Sequence, residues 1–167
     1  GNLSVEGVAA DLASQRQIRR LAADITARYD RLDVLINNAG VIVDRRETTE
    51  DGIEMTFAVN HLAPFLLTHL LLDTLKRSAP ARIVNVSSTV HYDAPLDFNN
   101  LQGERRYNGI TAYRVSKLGN VLFTVELAER LKGSGVTVNC LHPGVVATKL
   151  LATGWGWSNG LSTVQGA

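Results

Sequence analysis

The chain alternates helical and strand-like segments, and this alternation limits its fold more than any other feature. Residues 32–37, 82–87 and 136–141 are short runs rich in apolar and β-branched side chains. Helix-period stretches lie between and before them. Over residues 14–29, Ile18, Leu21, Ala22, Ile25 and Tyr29 share one face, and Ser14 offers an N-cap. A second helical stretch covers about residues 50–75, with a break expected near 60–64 because Pro64 cannot continue the hydrogen-bond ladder. A third covers residues 110–132 and is stopped by Gly133 and Gly135. Residues 89–108 read as irregular, and the segment after Pro143 has no period. Helix-strand alternation of this kind predicts an α/β protein, a parallel sheet with crossover helices. The strands are mostly apolar at every position, as expected when both faces of a sheet are covered. Ligands of such sheets sit at the strands' carboxyl ends. The residues just past those ends are Asn38-Ala39-Gly40, Ser88 and Pro143-Gly144, so these are expected to cluster in space.

Charge and cysteine content narrow the partners. A net charge of +1 gives no nucleic-acid footprint. The lone Cys140 cannot close an internal disulfide, which favours a reducing, cytoplasmic setting. The most apolar run, residues 65–75, is interrupted by Thr68, His69 and Asp73, so no membrane span is expected. The chain opens at Gly1 rather than Met, which leaves a preceding anchor or targeting segment open. His61, His69, His91 and His142 lack metal-ligand spacing. Asn2-Leu3-Ser4 and Asn85-Val86-Ser87 match the glycosylation pattern, but the second lies on an expected buried strand. Trp155 and Trp157 suit either a substrate mouth or ordinary packing.

Several residues can carry chemistry. Tyr113 and Lys117 are four apart on a helix and therefore share a face. A nearby ammonium is expected to lower a phenol's pKa from about 10 and tune it for proton transfer. Many exposed helices carry the same spacing by chance. Ser88, just past a strand, can donate to a carbonyl oxygen as charge develops, or can simply cap a turn. Asn37-Asn38-Ala39-Gly40 allows close backbone approach to a ligand, or forms an ordinary turn. Pro143-Gly144 has the same two readings. Asn60 lies in an apolar stretch, so it needs hydrogen-bond partners or marks a site.

Taken in order, these residues resemble the short-chain dehydrogenase/reductase superfamily. The sequence runs Asp11-Leu12, Asn37-Asn38-Ala39-Gly40, Asn60, Ser88, Tyr113-Arg114-Val115-Ser116-Lys117, then Pro143-Gly144 with Thr148. Residues 82–88, 100–104 and 126–135 look like the retinol dehydrogenase-like branch. The resemblance implies a Rossmann-type doubly wound parallel sheet with helices on both faces. It implies hydride transfer between a nicotinamide cofactor and a small or lipophilic carbonyl or alcohol. NADP is preferred on the branch resemblance, with NAD as the alternative. Tyr113 would be the acid/base, Lys117 would hold the nicotinamide ribose and lower the tyrosine pKa, Ser88 would polarise the carbonyl, and Asn60 would support a proton-relay water. Asp11 and Leu12 would meet the adenine, Asn38, Ala39 and Gly40 its ribose, and Pro143, Gly144, Val146 and Thr148 the nicotinamide. In many relatives the helices near residues 60–75 and 110–132 pair subunits, which leaves room for a homo-oligomer.

The chain departs from the family pattern at both ends. No Gly-rich phosphate turn precedes Asp11, and Gly154, Gly156 and Gly160 read as loop. All 167 residues are therefore read as one incomplete nucleotide-binding domain, a fragment whose exposed sheet edges would weaken it. The competing functional readings are a non-catalytic nucleotide-binding or interaction protein on the same scaffold, an inactive truncated fragment, and a sugar-nucleotide epimerase. The Asn-Asn-Ala-Gly run and the Pro-Gly segment argue against the epimerase.

Overall fold

The structure, a computed structural model, describes residues 4–156 and 158–165. The Asn2 glycosylation motif and Trp157 lie outside the described residues. Three parallel strands, β1 (Val34–Asn37), β2 (Ala81–Val86) and β3 (Val136–Leu141), form one sheet in the order β1-β2-β3. Leu35 pairs with Ile83, and Ile83 with Val138. The expected parallel α/β sheet is therefore present.

Helix α1 (Gln15–Arg28) starts at Ser14, whose Oγ accepts from the Gln17 amide at 3.3 Å. The long helical region after β1 does not break where a break was expected. It runs as α2 (Met55–Phe57), a π-helical turn (Ala58–Leu62) and α3 (Ala63–Arg77). The cause is Pro64. It has no N–H for the carbonyl four residues back, that of Asn60, and its ring would crowd that carbonyl in an α-helix. The wider π turn absorbs the mismatch, and the Ala63 amide bonds the Ala58 carbonyl instead. A short 3-10 turn (Thr89–Asp93) follows β2, within the stretch expected to be irregular. Helix α4 (Gly109–Arg130) begins at the N-cap Asn108, whose Oδ1 accepts from the Thr111 amide at 2.9 Å.

The strand order never reverses, so each right-handed crossover falls on the same side. Helices α3 and α4 pack over the face carrying Ile83, Val136 and Val138, with Leu71, Leu75, Phe123 and Leu127 filling the space between. Helix α1 lies beside α3 and adds Ala22. The expected helix layer on the second face is not seen among the described residues. Val34 is 44% and Ile36 60% exposed there. The strands accordingly alternate in burial rather than being covered on both faces.

Two further expectations need correction. Residues Met55–Arg77, continuous through the π turn, form a helix of 23 residues that is long and apolar enough to cross a membrane by length and composition. Reading only residues 65–75 understated it. Here it packs on the sheet, with Leu71 and Leu75 fully buried. The tail after Pro143 is also partly helical: α5 (Lys149–Trp155) is capped by Thr148 and ends at Gly156 in the left-handed conformation. Gly154 lies inside α5 against Ile42, not in a loop.

Candidate active site

The carboxyl end of β2 and one face of α4 form the centre of the site. Ser87 and Ser88 leave β2 in different directions. The Ser87 hydroxyl donates to the Lys117 carbonyl at 2.9 Å and so docks α4 on the sheet. Ser88 faces the Tyr113 phenol, near enough to oppose part of the upward shift that burial gives it. Of the two serines, Ser88 is the one that faces the phenol, and its Oγ accepts from the Val90 amide at 3.5 Å. Lys117 is 3% exposed, its Nζ donates to the Val86 carbonyl at 2.8 Å, and the ammonium lies 5.4 Å from the Tyr113 ring centroid. Ser88, Tyr113 and Lys117 thus form one buried cluster.

The electrostatics differ from the sequence expectation. Burial pushes the Tyr113 phenol up to about 12, and the nearby Ser88 hydroxyl offsets only part of this. Lys117 was expected to lower the phenol's pKa. The phenol is raised by burial all the same, and burial drives Lys117 itself down to about 8 while its Nζ donates to Val86. Tyr113 is consequently a protonated donor at neutral pH.

The Lys117 shift has a consequence for stability. The unfolded chain holds its lysine proton up to about pH 10.5 and the folded chain only to about 8. Between those values the unfolded state binds more protons, so stability rises with pH. The rise should be of order 1–3 kcal/mol from about pH 8 to about pH 10, before Tyr113 titration works the other way above that. Urea unfolding of the wild type and of Lys117→Met checks this, because the variant should lose that share of the rise.

Asn60 sits in the π turn and is fully buried. Its Oδ1 accepts from the Val41 amide at 2.8 Å, and its Nδ2 donates to the Val41 carbonyl at 2.9 Å and to the Ser116 hydroxyl at 3.1 Å. Ser116 in turn donates to the Tyr113 carbonyl at 2.7 Å. Asn60 therefore acts through its neighbours, tying the loop after β1 to α4.

Gly40 closes the same space. A Cβ there would lie 3.5 Å from the Asn60 Oδ1, 3.7 Å from the Lys117 Nζ and 3.7 Å from the Leu150 Cδ1. Asn38 and Ala39 are exposed beside it, while Asn37 turns inward to Thr68 and Asn85. Pro143, Gly144, Val146 and Thr148 reach the cluster indirectly. Val146 bridges Leu161, and Thr148 caps α5, which brings Leu150 to Gly40 and Trp155 edge-on to Tyr113 at 5.5 Å. Asp11 and Leu12 stand apart at the start of α1. The Asp11 Oδ1 accepts from the Ala13 amide at 2.9 Å, and Leu12 lines a cavity with Ile53, Ala58 and Leu62. No contact joins these two to the Tyr113 cluster among the described residues.

These residues fit the nicotinamide-ribose end of a dinucleotide. The Lys117 ammonium has N–H groups beyond the one Val86 accepts, available to ribose hydroxyls. Sequence reading missed Leu150 and Ser116. The Thr148 cap and Gly156 stop were the available signals for α5, and hence for Leu150.

Fold and site together define a Rossmann-type domain with a Ser-Tyr-Lys cluster at the strands' carboxyl ends. A family model described as short chain dehydrogenase matches residues 2–158, and the chain belongs to that family. It is 58% identical over 141 residues to Retinol dehydrogenase 13 of Homo sapiens, covering 84% of this chain and 43% of that protein. It is 54% identical over 151 residues to Retinol dehydrogenase 11 of Homo sapiens, covering 90% of this chain and 48% of that protein. The chain thus spans just under half the length of these relatives. Among solved structures, the NADPH-bound carbonyl reductase from chicken fatty liver superposes with a TM-score of 0.64 at 28% identity, over 86% of this chain and 59% of that one.

Proposed function

We propose that the protein reduces a lipophilic carbonyl to its alcohol with NADPH, and that Tyr113 donates the proton. The observation that carries this reading is the buried cluster of Ser88, Tyr113 and Lys117, with the Lys117 Nζ 5.4 Å from the Tyr113 ring centroid. When bound, the nicotinamide supplies the hydride. The chain's own residues do the rest. The Ser88 hydroxyl holds the carbonyl oxygen against the Tyr113 phenol. The phenol, protonated at neutral pH, passes its proton to that oxygen as negative charge develops. Lys117 holds ribose hydroxyls and supplies positive charge beside the phenol. Asn38, Ala39 and Gly40 form the wall on the adenosine side, with Asp11 and Leu12 further out.

The substrate class rests on two supports. The described surroundings of Tyr113 include Trp155, which suits an apolar substrate. The relatives at 58% and 54% identity carry the name retinol dehydrogenase. The preference for NADPH over NADH is supported by the carbonyl reductase structure, which holds NADPH. The single Cys140 supports a reducing compartment such as the cytoplasm, and the exposed Phe65, Leu122 and Val125 on α3 and α4 support self-association.

The test is reduction of retinaldehyde and of a small ketone, each with NADPH and with NADH. Faster retinaldehyde turnover with NADPH is expected. Dinucleotide binding without turnover of either carbonyl would favour the non-catalytic reading.

A further inference from the structure

Pro64 leaves the Asn60 carbonyl without its helical partner, and a side chain from another helix takes that place. The Asn120 Nδ2, on α4, donates to the Asn60 carbonyl at 2.9 Å. The other atom of the same amide, Oδ1, lies 3.2 Å from the His61 Nδ1. Asn120 is 2% exposed, so neither bond is diluted by water. An amide oxygen only accepts, so the His61 Nδ1 must carry the proton. Burial lowers the His61 pKa, which keeps the ring neutral and this tautomer in place.

The neighbouring sequence makes room for the arrangement. A Cβ on Gly119 would come within 2.9 Å of the His61 ring, so a glycine here lets the imidazole lie against α4. The Asn120 carbonyl accepts from the Thr124 hydroxyl at 2.7 Å, and that hydroxyl accepts from the Asn85 Nδ2 at 2.9 Å. The Asn85 Oδ1 accepts from the Asn37 Nδ2 at 2.8 Å. A continuous buried chain of hydrogen bonds therefore runs from the sheet centre, through α4, to the π turn.

The geometry points to Asn120 as a positioning residue: by clasping the Asn60 carbonyl and the His61 Nδ1–H together, it fixes the π turn, and through it the Asn60 side chain that holds Val41 and Ser116. Asn120 touches neither Tyr113 nor Lys117 by any hydrogen bond among the described residues. It acts on the loop at Gly40 and Val41 and on the catalytic helix through Asn60. The functional meaning of this rests on the reading of Tyr113 and Lys117 given above.

The readouts are chosen to be independent of turnover, so a failed carbonyl assay and a failed clasp are distinguishable. In the 167-residue chain, hydrogen exchange of the Val41 amide reports the Asn60 side chain, and the Tyr29 amide, bonded to Ile25 at 3.0 Å in α1, is the control. Asn120→Ala should speed Val41 exchange about tenfold or more while Tyr29 is unchanged. Asn120→Asp, of the same size, loses the donor to Asn60 but keeps an acceptor for His61. It should speed Val41 likewise while His61 stays protonated at Nδ1 by nitrogen NMR. Unchanged Val41 exchange in both variants, or equal acceleration of Val41 and Tyr29, would overturn the assignment. Should neither variant fold, the wild-type spectrum decides. A His61 ring protonated at Nε2 contradicts the clasp, and one protonated at Nδ1 supports it.

Discussion

Tyr113→Phe should lower carbonyl turnover by about 100- to 10,000-fold, the range that a positioned acid or base contributes. The substitution removes one oxygen and little else. Tyr113 is 6% exposed, and its ring still packs edge-on against Trp155, so the helix and the site should keep their shape. What is lost is the phenol of the buried Ser88, Tyr113 and Lys117 cluster. Dinucleotide affinity should change far less than kcat, because Lys117 and the loop at Gly40 remain. Steady-state kinetics with a direct binding titration separates the two. Equal loss of binding and turnover would mean that Tyr113 holds the cofactor rather than handling the proton.

Glu54→Ala should destabilise the fold by about 3 kcal/mol or more, a large effect for one side chain. Glu54 is 1% exposed, and its carboxylate caps α2. One oxygen accepts from the Thr56 amide at 2.9 Å and the Tyr107 hydroxyl at 3.0 Å, and the other from the Phe57 amide at 2.7 Å. Its own amide donates to the Gln102 Oε1 at 3.1 Å. Hydrogen bonds to an ionised acceptor contribute about 1.5–3 kcal/mol each, and removing the group strands buried donors as well. Tyr107 directly precedes Asn108, the N-cap of the catalytic helix, so the same change loosens the start of α4. Urea unfolding measures the loss. Glu54→Gln keeps an acceptor and the volume, and should cost clearly less. A loss below about 1 kcal/mol for the alanine variant would show that water replaces the carboxylate freely.

Both effects turn on groups whose legibility in the sequence was unequal. The strands and the catalytic helix were legible because apolar period and punctuation agree there. β3 is bounded by Gly135 and Pro143, and α4 is stopped by Gly133, while its N-cap Asn108 was not singled out. Tyr113, Lys117 and Ser88 were legible through spacing and position past a strand end. The π turn was not, because Pro64 in a helical stretch signals a break. The helix continues because the Ala63 amide reaches the Ala58 carbonyl and the Asn120 amide, far along the chain, takes up the freed Asn60 carbonyl. The direction of the Tyr113 pKa shift was also hidden. Spacing places an ammonium near a phenol, but burial decides which way each group shifts. The one-sided helix layer follows from strand order, which local pattern does not contain.

The central claim is hydride transfer at the Ser88, Tyr113 and Lys117 cluster. Its most direct test uses NADPH carrying deuterium at the nicotinamide C4 position, a retinaldehyde substrate, and mass spectrometry of the alcohol. The account predicts deuterium on the carbinol carbon with the wild-type protein and a loss of that product with Tyr113→Phe. Alcohol formed without deuterium from either C4 face, or labelled equally well by the Tyr113→Phe protein, would contradict it.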